Sequence, residues 1–154
     1  MKKLAIALAF TLGSLPAFAD VTVAEAWVRA TVPQQKATGA FMKLTSDRDA
    51  RLVSAASPVA GVVEIHEMVM DGNVMKMNAI PALDLPAGKT VELKPGGYHV
   101  MLMDLKQQVK DGEEVPVSIV VEAADGARET IELKAPARPL NAAAGGMQMQ
   151  HGKH

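Results

Sequence analysis

Two histidines within the body of this chain each open a His-x-Met triplet, His66-Glu67-Met68 and His99-Val100-Met101, and Met77 lies between them. Thioethers are soft, neutral donors that select Cu(I). Imidazole also suits copper, whereas zinc gains little from methionine. His66, Met77, His99 and Met101 therefore form a candidate metal set of two nitrogens and two sulfurs. Such a set is neutral, holds a monovalent ion without releasing thiol protons, and can pass it on by exchanging one thioether at a time. No motif groups an acid, a base and a nucleophile, so no catalytic residue is assigned and the chain is not expected to be an enzyme.

Cysteine is absent. This removes the thiolate needed for a blue-copper electron carrier, for a Cys-rich zinc site and for thiol nucleophilic catalysis. It also leaves the fold to stand on its core, even in a compartment that permits disulfides.

Residues 1–19 read as a secretory signal peptide. Lys2 and Lys3 make the positive start, Leu4 to Leu15 the apolar stretch, and Ala17-Phe18-Ala19 the small-residue cleavage positions. That stretch is shorter than the roughly 20 residues a membrane-spanning helix needs, and no later segment comes closer. The mature chain is expected to start at Asp20, to be periplasmic and to have no stable membrane insertion. It carries 14 basic and 17 acidic residues, a net charge of −3, and the whole chain is only 3% aromatic. Both the phosphate-neutralising surface and the stacking platforms of a nucleic-acid binder are missing.

The elements that must position the His/Met set read as strands throughout. Val21 to Arg29, Gly39 to Thr45, Arg51 to Ser54, Val62 to Met70, Val74 to Ile80, Thr90 to Leu93, Tyr98 to Met103, Val115 to Glu122 and Arg128 to Leu133 are short, Val-rich runs. Between them lie turn signals such as Asp71-Gly72, Pro86-Ala87-Gly88, Pro95-Gly96-Gly97, Asp111-Gly112 and Asp125-Gly126. The pattern predicts an all-β domain over residues 20–140, a sandwich or small barrel of short strands. Only Leu105 to Lys110 has the composition for a helical turn. Residues 141–154 form a small-residue linker and a polar tail without a burying pattern, expected to be disordered without metal. That tail holds Met147, Met149, His151 and His154, half of the four histidines of the chain, and is read as an auxiliary metal site; its imidazoles suit Cu(II) better than its thioethers do.

Strand alternation puts His99, Met101 and Met103 on one face, and His66, Met68 and Met70 on one face of their own strand. With Asp71-Gly72 as a two-residue hairpin loop, His66 faces Met77 and Met68 faces Met75. With Gly72-Asn73 as the loop, Met68 faces Met77 and His66 becomes its diagonal neighbour. Opposed side chains have Cβ atoms about 4.5–5.5 Å apart, within reach of a shared ion.

Taken singly, these residues have plainer explanations. Met42, Met70, Met75 and Met103 are best read as core filler, because methionine adapts to irregular gaps. Met68 is balanced between spare donor and neighbour, and Trp27 is a core aromatic. A lone histidine is usually a satisfied core residue; two, each followed two residues on by methionine, favour ligation.

The spacing then meets a family. His66, ten residues, Met77, twenty-one residues, and His99-x-Met101 resembles the signature of the periplasmic copper chaperones of the PCu(A)C type. Ala26-Trp27-Val28-Arg29-Ala30-Thr31 and Pro95-Gly96-Gly97-Tyr98-His99-Val100-Met101-Leu102-Met103 are also similar to that family, and the likeness runs from about Val21 to Pro136. The resemblance implies a cupredoxin-like β-barrel that binds one Cu(I) at an exposed site made by His66, Met77, His99 and Met101. It further implies delivery to the copper-bearing subunit of cytochrome oxidase or to another copper assembly protein, and a tail that adds a Cu(II)-favouring site. A copper-sequestering buffer without a dedicated acceptor, and a sandwich that binds no metal, are the competing readings.

Overall fold

The computed structural model describes residues 18–139 and 141. Residues 1–17 of the expected signal peptide fall outside that range, and so do Met147, Met149, His151 and His154. Ten strands follow in order: β1 Val21–Arg29, β2 Ala37–Ser46, β3 Ala50–Ala56, β4 Ala60–Asp71, β5 Val74–Ala79, β6 Leu83–Leu85, β7 Thr90–Leu93, β8 His99–Leu105, β9 Glu114–Ala123 and β10 Arg128–Arg138. They pair in the order β5-β4-β8-β2-β1-β10-β9-β3-β6, with β7 on β2. This path does not close on itself. All pairings are antiparallel except β1 with β10, where two residue pairs join the two halves of the sheet in parallel. The architecture is the expected all-β, cupredoxin-like one.

Alternation explains the folding of the halves. Val115, Val117, Ile119, Val121 and Ala123 of β9 are all buried while the residues between them are not. The opposite half contributes Ala40, Met42 and Leu44 from β2 and Val100, Leu102 and Leu105 from β8, and both sets meet in one core. Met42 is thus the core filler it was expected to be.

The structure corrects the sequence reading at several points. β6 was not anticipated, because three residues between Pro81 and Pro86 give no periodic signal; it pairs with β3 through Leu83 and Leu85, both buried. Leu105 to Lys110 holds no helical turn. Val109 is buried instead, its N–H donating to Thr31 Oγ1 and its carbonyl accepting from the Thr31 N–H, so tertiary contacts override helix propensity. The β4–β5 loop is Gly72-Asn73, not Asp71-Gly72: Asp71 pairs with Val74, and Met68 with Met77. Gly72 carries the positive φ, 63°, at the first central position, as a type II′ hairpin turn requires.

A bulge in β1 also matters for the site. Between Ala24 and Trp27 the register against β2 shifts by one residue, with Glu25 at φ 51°. The shift turns Trp27 to the face where it opposes Phe41.

Candidate metal centre

The pairing of β4 with β8 sets His66 directly opposite His99, and Glu64 opposite Met101. β5 adds Met77 opposite Met68 and Ala79 opposite His66. On the other flank, β2 sets Gly39 opposite Met101. Opposed residues share a face, as do residues two apart, so His66, Met68, Met77, His99 and Met101 all lie on one side of the sheet. Their neighbours Ile65, Val100 and Leu102 point the other way, into the core.

The rings form a lateral row across four strands. His66 and His99 stand edge-on with centroids 5.6 Å apart, Phe41 follows at 6.4 Å from His99, and Trp27 packs at 4.6 Å from Phe41. Both imidazoles are buried, His66 at 8% exposure and His99 at 4%. The site is therefore less open than the resemblance implied; Met77, at 45%, is its exposed member.

Each imidazole is held by one nitrogen and bare at the other. His99 Nδ1 lies 3.0 Å from the Gly97 carbonyl oxygen, to which it donates, leaving the lone pair on Nε2. His66 Nε2 lies 2.8 Å from Glu64 Oε2, which directs the ring proton there and the lone pair to Nδ1. The two remaining nitrogens, His66 Nδ1 and His99 Nε2, are buried without a hydrogen-bond partner. A buried unsatisfied polar atom costs about 1–3 kcal/mol, so the arrangement needs a compensating partner. An acceptor fixing one ring nitrogen while the other faces an ion is the usual support of a metal-binding imidazole. Burial holds the His99 pKa below the ordinary imidazole value, the charges of His66 and Arg29 act in the same direction, and the Gly97 carbonyl opposes them. His99 is consequently neutral and able to donate its lone pair.

A cavity of about 330 Å³ is lined by Met68, Met77, His99 and Met101, with Gly39 and Phe41 in its wall. His66 is not in that wall but faces His99 from the next strand. The expected set thus gathers in one place, and the corrected hairpin register adds Met68 to it on equal terms with Met77. Met70 and Met75 are not core filler: they are 63% and 45% exposed, farther out on the same hairpin. Among the described residues no three His, Cys, Asp or Glu side chains cluster as a hard-donor site would need. A larger cleft of about 440 Å³ between Asp49, Arg51, Asp84 and Glu122 contains no histidine or methionine. Its Glu122 carboxylate is already engaged by Arg51 and Arg128.

Glu64, Gly39 and Phe41 went unnoticed in the sequence. Glu64 had a signal, since it lies two residues before His66 and so on its face. Gly39 and Phe41 had none, because only the β2–β8 register brings them there.

A model of the LpqE-like family matches residues 21–137. The chain belongs to the LpqE-like, or PCuAC, family. Among its relatives, Lxx21020 of Leifsonia xyli subsp. xyli, which bears a lipoprotein name, is 35% identical over 100 residues, 64% of this chain. The matched part spans 60% of that relative's length. Of the solved structures, Cu(I)-bound DR1885 of Deinococcus radiodurans is 35% identical over 77% of each chain with a TM-score of 0.58. Its apo form is 32% identical over 90% of this chain and 95% of its own, with a TM-score of 0.57. The copper-bound PCuAC domain of PmoF2 shares the fold at 22% identity, covering 77% of this chain and 92% of that domain, with a TM-score of 0.59.

Proposed function

We propose that this LpqE-like protein is an exported copper chaperone. It holds Cu(I) between His66, Met77, His99 and Met101 and delivers it in the periplasm to the copper centres of cytochrome oxidase. The observation that carries this reading is the pair of buried, unpartnered nitrogens, His66 Nδ1 and His99 Nε2, on the face that also bears Met77 and Met101. The Cu(I) bound by DR1885 supports the choice of ion, and the lipoprotein name of Lxx21020 supports export.

The chemistry follows from the donor set. Two neutral imidazoles and two thioethers hold the ion as a monocation, with no thiolate to bind it irreversibly. The histidines are buried and each held by one hydrogen bond while Met77 is exposed on its strand, so release begins at the thioethers and ends at the imidazoles. An acceptor that replaces Met77 first gains the ion without passing it through water.

Anaerobic Cu(I) titration against a competing chelator tests the site: Met77→Leu with His99→Ala abolishes tight binding while the fold persists. Retained tight binding would contradict the ligand set. Mixing the loaded protein with an apo oxidase copper domain separates chaperone from buffer. A chaperone transfers faster than copper dissociates into free chelator, and equal rates would favour the buffer. Met147, Met149, His151 and His154 constitute the auxiliary site in this proposal. Removing residues 141–154 should lower Cu(II) binding and spare Cu(I) binding by the body, and unchanged Cu(II) stoichiometry would discredit the tail.

A further inference from the structure

β4 outruns its partner on one side. Its pairing with β8 ends at His66 opposite His99, yet the β4–β5 ladder continues through five more residue pairs to Asp71 opposite Val74. Every residue of β5 is exposed, as are Met70 and Asp71 of β4, so the outer end of the hairpin is an arm standing clear of the core.

The two faces of the arm differ in chemistry. One carries Glu67 with Asn78, Val69 with Lys76, and Asp71 with Val74, including a Lys76–Asp71 ion pair. The other carries Met68 opposite Met77 and Met70 opposite Met75, and no charged group. All the thioethers of the arm are thus on the face that continues into the His66–His99 row. Packing does not explain them, for Met70 and Met75 have no core to fill. Strand propensity does not either, since β-branched and aromatic residues suit exposed strand positions better. Opposed pairs bring their Cβ atoms to about 4.5–5.5 Å, and three rotatable bonds per side chain let the sulfurs of adjacent rows converge.

We infer that Met70 and Met75, with Met68, form a second, outer binding station for a soft monovalent cation, an all-thioether site from which the ion passes inward to the imidazole pair. The inference rests on the copper centre proposed above and deepens it by giving the ion a route along the arm. Sulfur donors without imidazole or thiolate hold Cu(I) or Ag(I) and reject hard ions, so the station is selective. Met68 and Met77 adjoin both stations and serve as the bridge between them.

Silver(I), which is redox-stable and diamagnetic, is the probe. The full mature chain, labelled at the methionine methyl carbons, is titrated and each methyl resonance followed, with assignments from single Met→Leu variants. The expected result is that Met77 and Met101 shift with the first equivalent and Met70 and Met75 with a later one. Met70→Leu with Met75→Leu, a volume-conserving change at exposed sites that leaves the fold intact, should remove the later event and keep the first. Met147 and Met149 report the tail separately. Unmoved Met70 and Met75 after Met77 and Met101 have shifted would overturn the outer station and leave the copper centre standing. Unmoved Met77 and Met101 would overturn the copper centre, and the station with it. Movement of Met70 and Met75 only when an apo acceptor protein is added would make the arm a protein contact and overturn the metal station.

Discussion

His66 and His99 face each other across β4 and β8, each tied by one ring nitrogen and each with its other nitrogen buried and bare. The two anchors differ. The Gly97 carbonyl comes from the backbone and cannot be removed by substitution, whereas Glu64 is a side chain and can. Removing the Glu64 carboxylate frees the His66 ring to rotate and to change tautomer. Second-shell losses of this kind cost about 10–100-fold in metal affinity. Glu64→Ala should therefore weaken Cu(I) binding by that order in a chelator competition, while Glu64→Gln, which can still accept from Nε2, should lose less. Equal affinity in Glu64→Ala and the parent would refute the anchoring role.

Met68 and Met77 oppose each other and both line the cavity. Met77 is the proposed ligand and Met68 can stand in for it, so Met77→Leu should bind more weakly, and the double variant with Met68→Leu should lose more than either single one. Replacing Met77 is expected to cost about tenfold in affinity, or ~1.4 kcal/mol. Should Met68→Leu bind as the parent does, Met77 alone would be the ligand.

Gly39 keeps the cavity open. A Cβ placed there would lie 2.7 Å from Phe41 Cζ, and Phe41 packs between Trp27 and His99. Gly39→Ala should displace the Phe41 ring, alter Trp27 fluorescence in the apo protein and weaken Cu(I) binding, all without touching a donor atom. Unchanged fluorescence and affinity would show that the wall yields at no cost.

The lowered pKa of His99 gives a direction for acid sensitivity. With the unfolded imidazole titrating near 6.5, the unfolded chain takes up a proton that the folded chain refuses. The stability from neutral His99 is thus present above that value and is lost as pH falls below it. Denaturant unfolding of the apo protein at about pH 7.5 and about pH 5.5 should show a decline that is smaller in His99→Gln, which has no imidazole to protonate. Identical declines in the two proteins would contradict the assignment.

The gathering of the candidate His/Met set on one face was legible because residue type and spacing mark it, and the strands because alternation and turn residues mark them. What could not be read depends on contacts between distant segments. Both loops offered by Asp71-Gly72-Asn73 satisfy local turn chemistry, and the choice between them moved His66 from opposite Met77 to opposite Ala79. Helix propensity at Leu105 to Lys110 lost to the burial of Val109 against Thr31. Met42 and Met70 are the same residue type in similar strand patterns, yet one fills the core and the other stands in water, because β4 extends beyond the end of its pairing with β8. The bulge at Glu25, which aims Trp27 at Phe41, leaves no mark in the sequence that a straight strand would lack.

X-ray absorption on the protein loaded with one equivalent of Cu(I) is the most direct test, because it counts nitrogen and sulfur neighbours of the metal. The account predicts two imidazole nitrogens and two thioether sulfurs, with the nitrogen count falling in His99→Ala. A sphere without sulfur, or one that His99→Ala leaves unchanged, would contradict it.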